Sequence, residues 1–245
     1  MQARLDRLEA ELLAQAAPGR ADKERAYLKS SLRHLGVPVP QLRKTARALA
    51  KEGQPLRPLA QAMWEREVHE LRMLAVLSIT QHAKRDALSR EDLPWLEALL
   101  WECRTWALLD ELAIKGVGPI VASDPDCGET LDRWARDLDF WIRRSALLVL
   151  LVPLRTGAGD FDRFVRYADA MLEEKEFFIR KAIGWVLREA GKKAPARVDL
   201  FLRSRTHRAS GVTMREAVKP LPALRQESLM DAYRRKVPEA APRPA

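Results

Sequence analysis

Apolar residues recur at three- and four-residue spacing along nearly the whole chain, the signature of helices with one buried face. The clearest case is residues 176–189, EFFIRKAIGWVLRE. Phe178 or Ile179, Ala182, Ile183 and Val186 form one apolar face, and Lys181, Trp185 and Arg188 fall together on another. The same periodicity predicts helices over 2–16, 21–34, 39–51, 56–66, 68–81, 93–101, 104–115, 128–137, 139–152, 160–173, 176–190, 195–204, 213–219 and 225–236. Glycine and proline punctuate the breaks at 18–19, 36–40, 53–55, 116–119, 157–159 and 191, with Gly116 and Gly118 read as helix termination. No strand-like alternation competes with this all-α assignment.

A repeat underlies the pattern. LRMLAVL at 71–77, IRRSALL at 142–148 and IRKAIGW at 179–185 superpose without gaps. With Asp110 as an intermediate step, Met73, Asp110, Arg144 and Lys181 take equivalent positions. Paired helices at such a period predict an α-solenoid whose concave layer gathers equivalent positions into one groove. The competing architecture is a helical bundle without repetition.

The chain has 245 residues, 47% hydrophobic and 31% charged, a globular balance without an eighteen-residue apolar run. Its first residues, MQARLDRLEAELLAQA, lack the apolar core of a secretory signal. Cys103 and Cys127 form neither a metal motif nor a disulfide framework, which fits a reducing, cytoplasmic setting. The net charge is +9, and it is unevenly spread: residues 175–245 carry 17 basic and 7 acidic side chains. A basic C-terminal third draws in a polyanion, with nucleic acid the foremost class.

A tryptophan between two cations, as in Lys181, Trp185 and Arg188, suits stacking on a flat anionic partner; packing against a neighbouring helix is the alternative. In CRTWALLDELA, Trp106 and Asp110 stand one turn apart and share a helix face. Asp110 either does chemistry or accepts a hydrogen bond from Arg144 and shapes the groove. Arg144, in turn, either binds phosphate or pairs with Asp110. The four histidines, His34, His69, His82 and His207, have no metal-ligand spacing and read as surface or packing residues. No phosphate-cradling glycine loop is present, and no serine–histidine–acid set can be identified. A carboxylate among aromatic faces suits bond cleavage through a cationic sugar-like transition state.

These segments closely resemble the AlkD-type family of bacterial DNA alkylation repair glycosylases. EFFIRKAIGWVLREA is similar to its most characteristic helix, TWALLDELA to its Trp-x-x-x-Asp segment and FWIRRSALL to its central arginine helix. YLKSSLRHLGVPVPQLRK and TMREAVK extend the resemblance over about residues 20 to 235. It implies a HEAT-like α-solenoid holding duplex DNA in a concave basic groove. It further implies removal of cationic alkylated purines such as 7-methylguanine and 3-methyladenine, without conventional base flipping. On this chain the implied set is Asp110 as catalytic carboxylate, Trp106 and Trp185 against the deoxyribose, and Arg144 on the backbone. Ala107, Leu108 and Leu109 follow Trp106, where the family commonly places a second aromatic or polar residue.

The resulting expectation is one domain over 1–236 with a frayed tail over 237–245. It is expected to be a monofunctional, monomeric glycosylase acting on alkylated double-stranded DNA, without cofactor, metal or membrane partner. Arg144, Arg180, Lys181, Arg188, Arg215 and Lys219 are the expected DNA-binding cations. A non-catalytic binder of bent, branched or damaged DNA is the alternative.

Overall fold

The fold is that of a computed structural model, which describes residues 2–52, 55–83 and 88–236. Every regular element among them is helical, and the one β-type pairing among the described residues is an isolated parallel bridge between Arg33 and Val68. The expected all-α class is therefore what the chain adopts. The helices divide into two compact units, Met1–Cys127 and Gly128–Ala245. The tail expected at 237–245 lies outside the described residues, as does most of the 53–55 break.

The first unit contains α1 (Gln2–Leu13), α2 (Pro18–Leu28), α3 (Val39–Lys51), α4 (Leu56–Trp64), α5 (His69–Ala83), α6 (Leu93–Glu102), α7 (Trp106–Glu111) and α8 (Gly118–Ser123). Helix α5 is its axis, with α3, α4 and α7 packed around it. Leu71, Leu74, Ala75, Val76, Leu77 and Ile79 are wholly buried, and even the polar His69, Glu70, Ser78 and Thr80 are buried. A helix enclosed on all sides has no polar face to present to water. Its polar groups therefore need internal partners. Glu70 finds them in the turn before α3, where its carboxylate accepts N–H bonds from Leu35, Gly36 and Val37 at 2.7–3.3 Å. Gly36 makes that turn with φ +81°, and a Cβ there would strike the backbone of Ala17 and Ala21.

The second unit contains α9 (Gly128–Trp134), α10 (Phe140–Leu148), α11 (Leu151–Thr156), α12 (Phe161–Ala170), α13 (Phe177–Gly191), α14 (Pro195–Arg203), α15 (Gly211–Ala217) and α16 (Ala223–Lys236). Helix α13 is the axis here, contacting α10, α11, α14 and α15. Ile179, Ala182, Ile183 and Val186 are wholly buried, as the apolar face predicted, while Lys181 is exposed and Trp185 and Arg188 are half-buried. Gly184 permits the closest approach to α15. A Cβ there would lie 2.9 Å from Cβ of Glu216 and 3.1 Å from the carbonyl oxygen of Thr213.

Three helix assignments need correction. The helix predicted over 21–34 ends at Leu28, because Lys29 takes a left-handed conformation (φ 50°) and donates its N–H back to Ala26. The helix predicted over 139–152 is two helices. Pro153 lacks an N–H for the carbonyl of Val149 and crowds it, so the chain breaks between Leu148 and Leu151. Finally, the glycine–proline pair at 116–119 terminates nothing. After α7 the chain widens into a π-helical segment, Leu112–Val117, and Gly118 and Pro119 then open α8. Proline is well tolerated in a first helical turn, and its missing bond to Lys115 coincides with the wider turn that precedes it.

Candidate functional site

In the first unit, Arg104 (φ 47°) and the extended Thr105 turn the chain so that α7 begins at Trp106. Leu108 and Leu109 face the core, leaving Trp106 and Asp110 half-buried one turn apart on the other side. The shared face predicted from their spacing is therefore present. Trp106 is not isolated: the ring of Tyr27, on α2, meets it edge to face, with centroids 5.8 Å apart and planes at 86°. Tyr27 itself is 74% exposed, so the pair forms an aromatic step open to solvent.

Glu111, next to Asp110, is held on both oxygens. The Arg43 guanidinium donates to them at 2.9 and 3.1 Å, and Lys115 Nζ at 3.0 and 2.8 Å. Burial works to raise its carboxyl, but these cations outweigh burial and hold it below the ordinary range. This clamp ties α3, α7 and the π-helical segment together beside Asp110. It was not legible in the sequence, because Arg43 and Glu111 stand far apart along the chain.

In the second unit, Arg144 on α10 is buried at 3% exposure. Its guanidinium donates to the carbonyl oxygen of Phe178, in the first turn of α13, and lies 5.7 Å from the centroid of the Phe178 ring. That ring also meets Trp141 (4.9 Å), and Phe140, Trp141, Phe177 and Phe178 form one aromatic cluster. Arg144 is thus fixed by the helix that carries Trp185. Trp185 is half-buried and has no ring or hydrogen-bond partner among the described residues. Met73 and Arg144 are buried while Lys181 is exposed, so equivalent repeat positions differ in their environment.

The expected DNA-binding cations differ in how they are engaged. Arg180 donates Nε to the carbonyl oxygen of Glu174 at 2.6 Å. Arg188 pairs with Glu216, and Lys219 Nζ lies 2.9 Å from the other oxygen of the same carboxylate. Lys219 foremost, together with Arg188 and Lys181, holds Glu216 below the ordinary carboxylate range despite partial burial. Lys181 and Arg215 are exposed. Part of the C-terminal charge surplus is also answered locally. Asp169 receives both Arg205 and Arg208, and Asp162 receives Arg197.

Sequence reading also passed over a cluster in the first unit, where donor atoms of Glu24, His34 and Glu70 lie within 4.8 Å of one another. His34 stacks on His69 with centroids 4.2 Å apart. Burial holds both imidazoles below their usual range, His69 down to about 3. No spacing signal links these residues, which the turn after α2 and the start of α5 bring together.

Comparison with known proteins decides the family. A family profile described as "DNA alkylation repair enzyme" matches residues 8–221. The chain belongs to the DNA alkylation repair enzyme family. A solved structure described as a predicted DNA alkylation repair enzyme from Enterococcus faecalis is similar to it. That similarity has a TM-score of 0.75 at 26% identity and covers 85% of this chain and 97% of that one. No curated protein matches this chain. The family covers both units and all nine residues nominated from the sequence, and it places the chain in the repair of alkylated DNA. No described helix is long and apolar enough to cross a membrane.

Proposed function

We propose that this alkylation repair protein is a monofunctional DNA N-glycosylase. It removes cationic alkylpurines, 7-methylguanine and 3-methyladenine among them, from duplex DNA without conventional base flipping. The observation that carries the reading is the pair on α7: Trp106 and Asp110 one turn apart and half-exposed, within a DNA alkylation repair family.

The chemistry follows from charge. A base alkylated at N7 or N3 is already cationic, so it takes the glycosidic electron pair and departs neutral. No strong general acid is required. Positive charge develops on the deoxyribose as the bond lengthens. Asp110 opposes that charge and orients the water whose oxygen bonds to the anomeric carbon; the water's proton passes to solvent. The face of Trp106 stabilises the spreading cation, the role that the family resemblance also gives to Trp185. Arg144, buried and fixed on the carbonyl oxygen of Phe178, sets the start of α13, and the family resemblance assigns it to the DNA backbone. Lys181, Arg215, Arg180, Arg188 and Lys219 supply phosphate attraction. The abasic product keeps an intact strand, and the protein acts as a monomer without a cofactor.

Incubation with alkylated duplex DNA, followed by chromatography of the released bases, tests the proposal. Release of 7-methylguanine or 3-methyladenine is expected, with at least a hundredfold loss in Asp110→Asn and nearly unchanged DNA binding. Tight, structure-selective binding without any released base would instead identify a DNA-structure binder. Equal release by Asp110→Asn would remove Asp110 from catalysis.

A further inference from the structure

Buried side-chain atoms without hydrogen-bond partners concentrate at one place in the first unit. Oε2 of Glu24, both ring nitrogens of His34 and Nδ1 of His69 are all shielded from solvent and unpartnered among the described residues. His69 is only 2% exposed. A neutral imidazole carries one donor and one acceptor, and leaving both unanswered in a shielded position is unfavourable. Arg20 places Nε 4.0 Å from Oε2 of Glu24, beyond hydrogen-bonding reach, and is half-exposed at the surface. Arg25 lies near enough to act on His34 through its charge.

The groups that meet here are of ligand type. Glu24 comes from α2, His34 from the turn that follows it, and the fully buried Glu70 from the first turn of α5. One donor atom from each lies within 4.8 Å of the other two. Tetrahedral donors at about 2.1 Å from a metal stand roughly 3.4 Å apart, so the side chains need to close by about an ångström. Glu70 is pinned by the 35–37 amides, whereas neither Oε2 of Glu24 nor the His34 ring nitrogens are tied by hydrogen bonds. The movement therefore falls on Glu24 and His34, whose ligand atoms no hydrogen bond holds. A cleft of about 260 Å³ lined by Asp22, Arg25, Ser31, Arg33 and His34 gives a path from solvent.

We propose that Glu24, His34 and Glu70 bind one divalent transition-metal ion, with Zn²⁺ the best match to one imidazole and two carboxylates. Two carboxylates neutralise the ion, and the imidazole nitrogen favours Zn²⁺ over the oxygen-seeking Mg²⁺ and Ca²⁺. The stacked ring of His69 backs the His34 ring and limits its orientation. The ion joins α2 to α5 through the intervening turn, so its effect is on the stability of the first unit. The proposal does not depend on the glycosylase reading.

The test uses the full-length protein, free of any affinity tag and stripped with chelator. Equilibrium dialysis against Zn²⁺, read by elemental analysis, is expected to give one equivalent. The thermal midpoint is expected to rise with Zn²⁺ and to stay unchanged with Mg²⁺. Glu24→Gln and His34→Gln should each weaken uptake at least tenfold, with circular dichroism confirming the native helix content. His207→Gln, at an exposed residue outside the cluster, should bind as the parent does. Should His34→Gln fail to fold, Glu24→Gln at its half-buried surface position decides the matter alone. No saturable Zn²⁺ uptake, uptake unchanged by Glu24→Gln, or equal displacement by Mg²⁺ would overturn the proposal.

Discussion

Tyr27 and Trp106 meet edge to face, with planes at 86° and centroids 5.8 Å apart. Because Tyr27 is largely exposed, it acts mainly on how Trp106 is held and little on the core. Such pairs contribute about 0.5–1.5 kcal/mol when buried, and the lower end applies here. Tyr27→Leu is expected to destabilise the protein by no more than about 0.5 kcal/mol in urea unfolding. Its larger effect should be a shifted fluorescence maximum that disappears in a Trp106→Phe background. A shift that persists in that background would mean that Tyr27 acts on some other tryptophan.

Gly184→Ala tests the contact between α13 and α15. Elsewhere in a helix this change is stabilising, because alanine is the better helix former. Here the new methyl meets Cβ of Glu216 at 2.9 Å and the Thr213 backbone at 3.1–3.2 Å, and none of these is the loose end of a side chain. Overpacking of that kind costs about 1–3 kcal/mol, which exceeds the gain in propensity. Urea unfolding should show a lower midpoint; a higher one would mean that α15 withdraws freely.

Glu70→Gln keeps the shape of the side chain but removes the charge that three amides share. Hydrogen bonds to a charged acceptor contribute about 1.5–3 kcal/mol, and an amide group also brings a donor that these N–H groups cannot accommodate. A loss of at least about 2 kcal/mol is expected in chelator-containing buffer, where metal makes no contribution. Hydrogen exchange should locate the damage, with faster exchange at Leu35, Gly36 and Val37.

Acid should loosen the clamp at Glu111. Its folded-state carboxyl lies below the ordinary range because the bonds from Arg43 and Lys115 outweigh burial. A depressed carboxyl contributes stability that is fully present above the unfolded value, about 4.3, and is lost as pH falls through the folded value. Unfolding free energy should therefore decline as pH drops below about 4.5. Glu111→Gln should be less stable at neutral pH and show a shallower decline. Parallel slopes for the two proteins would assign the acid sensitivity to other carboxylates.

Local periodicity made the helices legible. The buried face of α13 and the shared face of Trp106 and Asp110 depend only on 3.6-residue geometry, which sequence encodes directly. The misassigned ends share a different cause. The left-handed Lys29, the break ahead of Pro153 and the start of α8 at Gly118 each depend on where backbone N–H groups find partners, and composition alone does not specify that. Long-range electrostatics were hidden for a related reason. Nothing near Arg188 announces Glu216, and nothing near Glu70 announces the amides of residues 35–37. Candidate chemistry on a single helix was readable; the partners that fix each side chain come from other helices.

The π-helical segment Leu112–Val117 acts as a phase shift within an otherwise α-helical rod. Counting by 3.6 gives the right direction for Trp106 and Asp110, which precede it, and the wrong one for residues beyond it. Removing one residue from this stretch would turn α8 by roughly 100° about the axis relative to α7. Relatives one residue shorter here would keep the Trp-x-x-x-Asp pair in place while presenting a different side of α8. A gap in an alignment at this point would therefore mark a rotation of the helix, with no loop gained or lost.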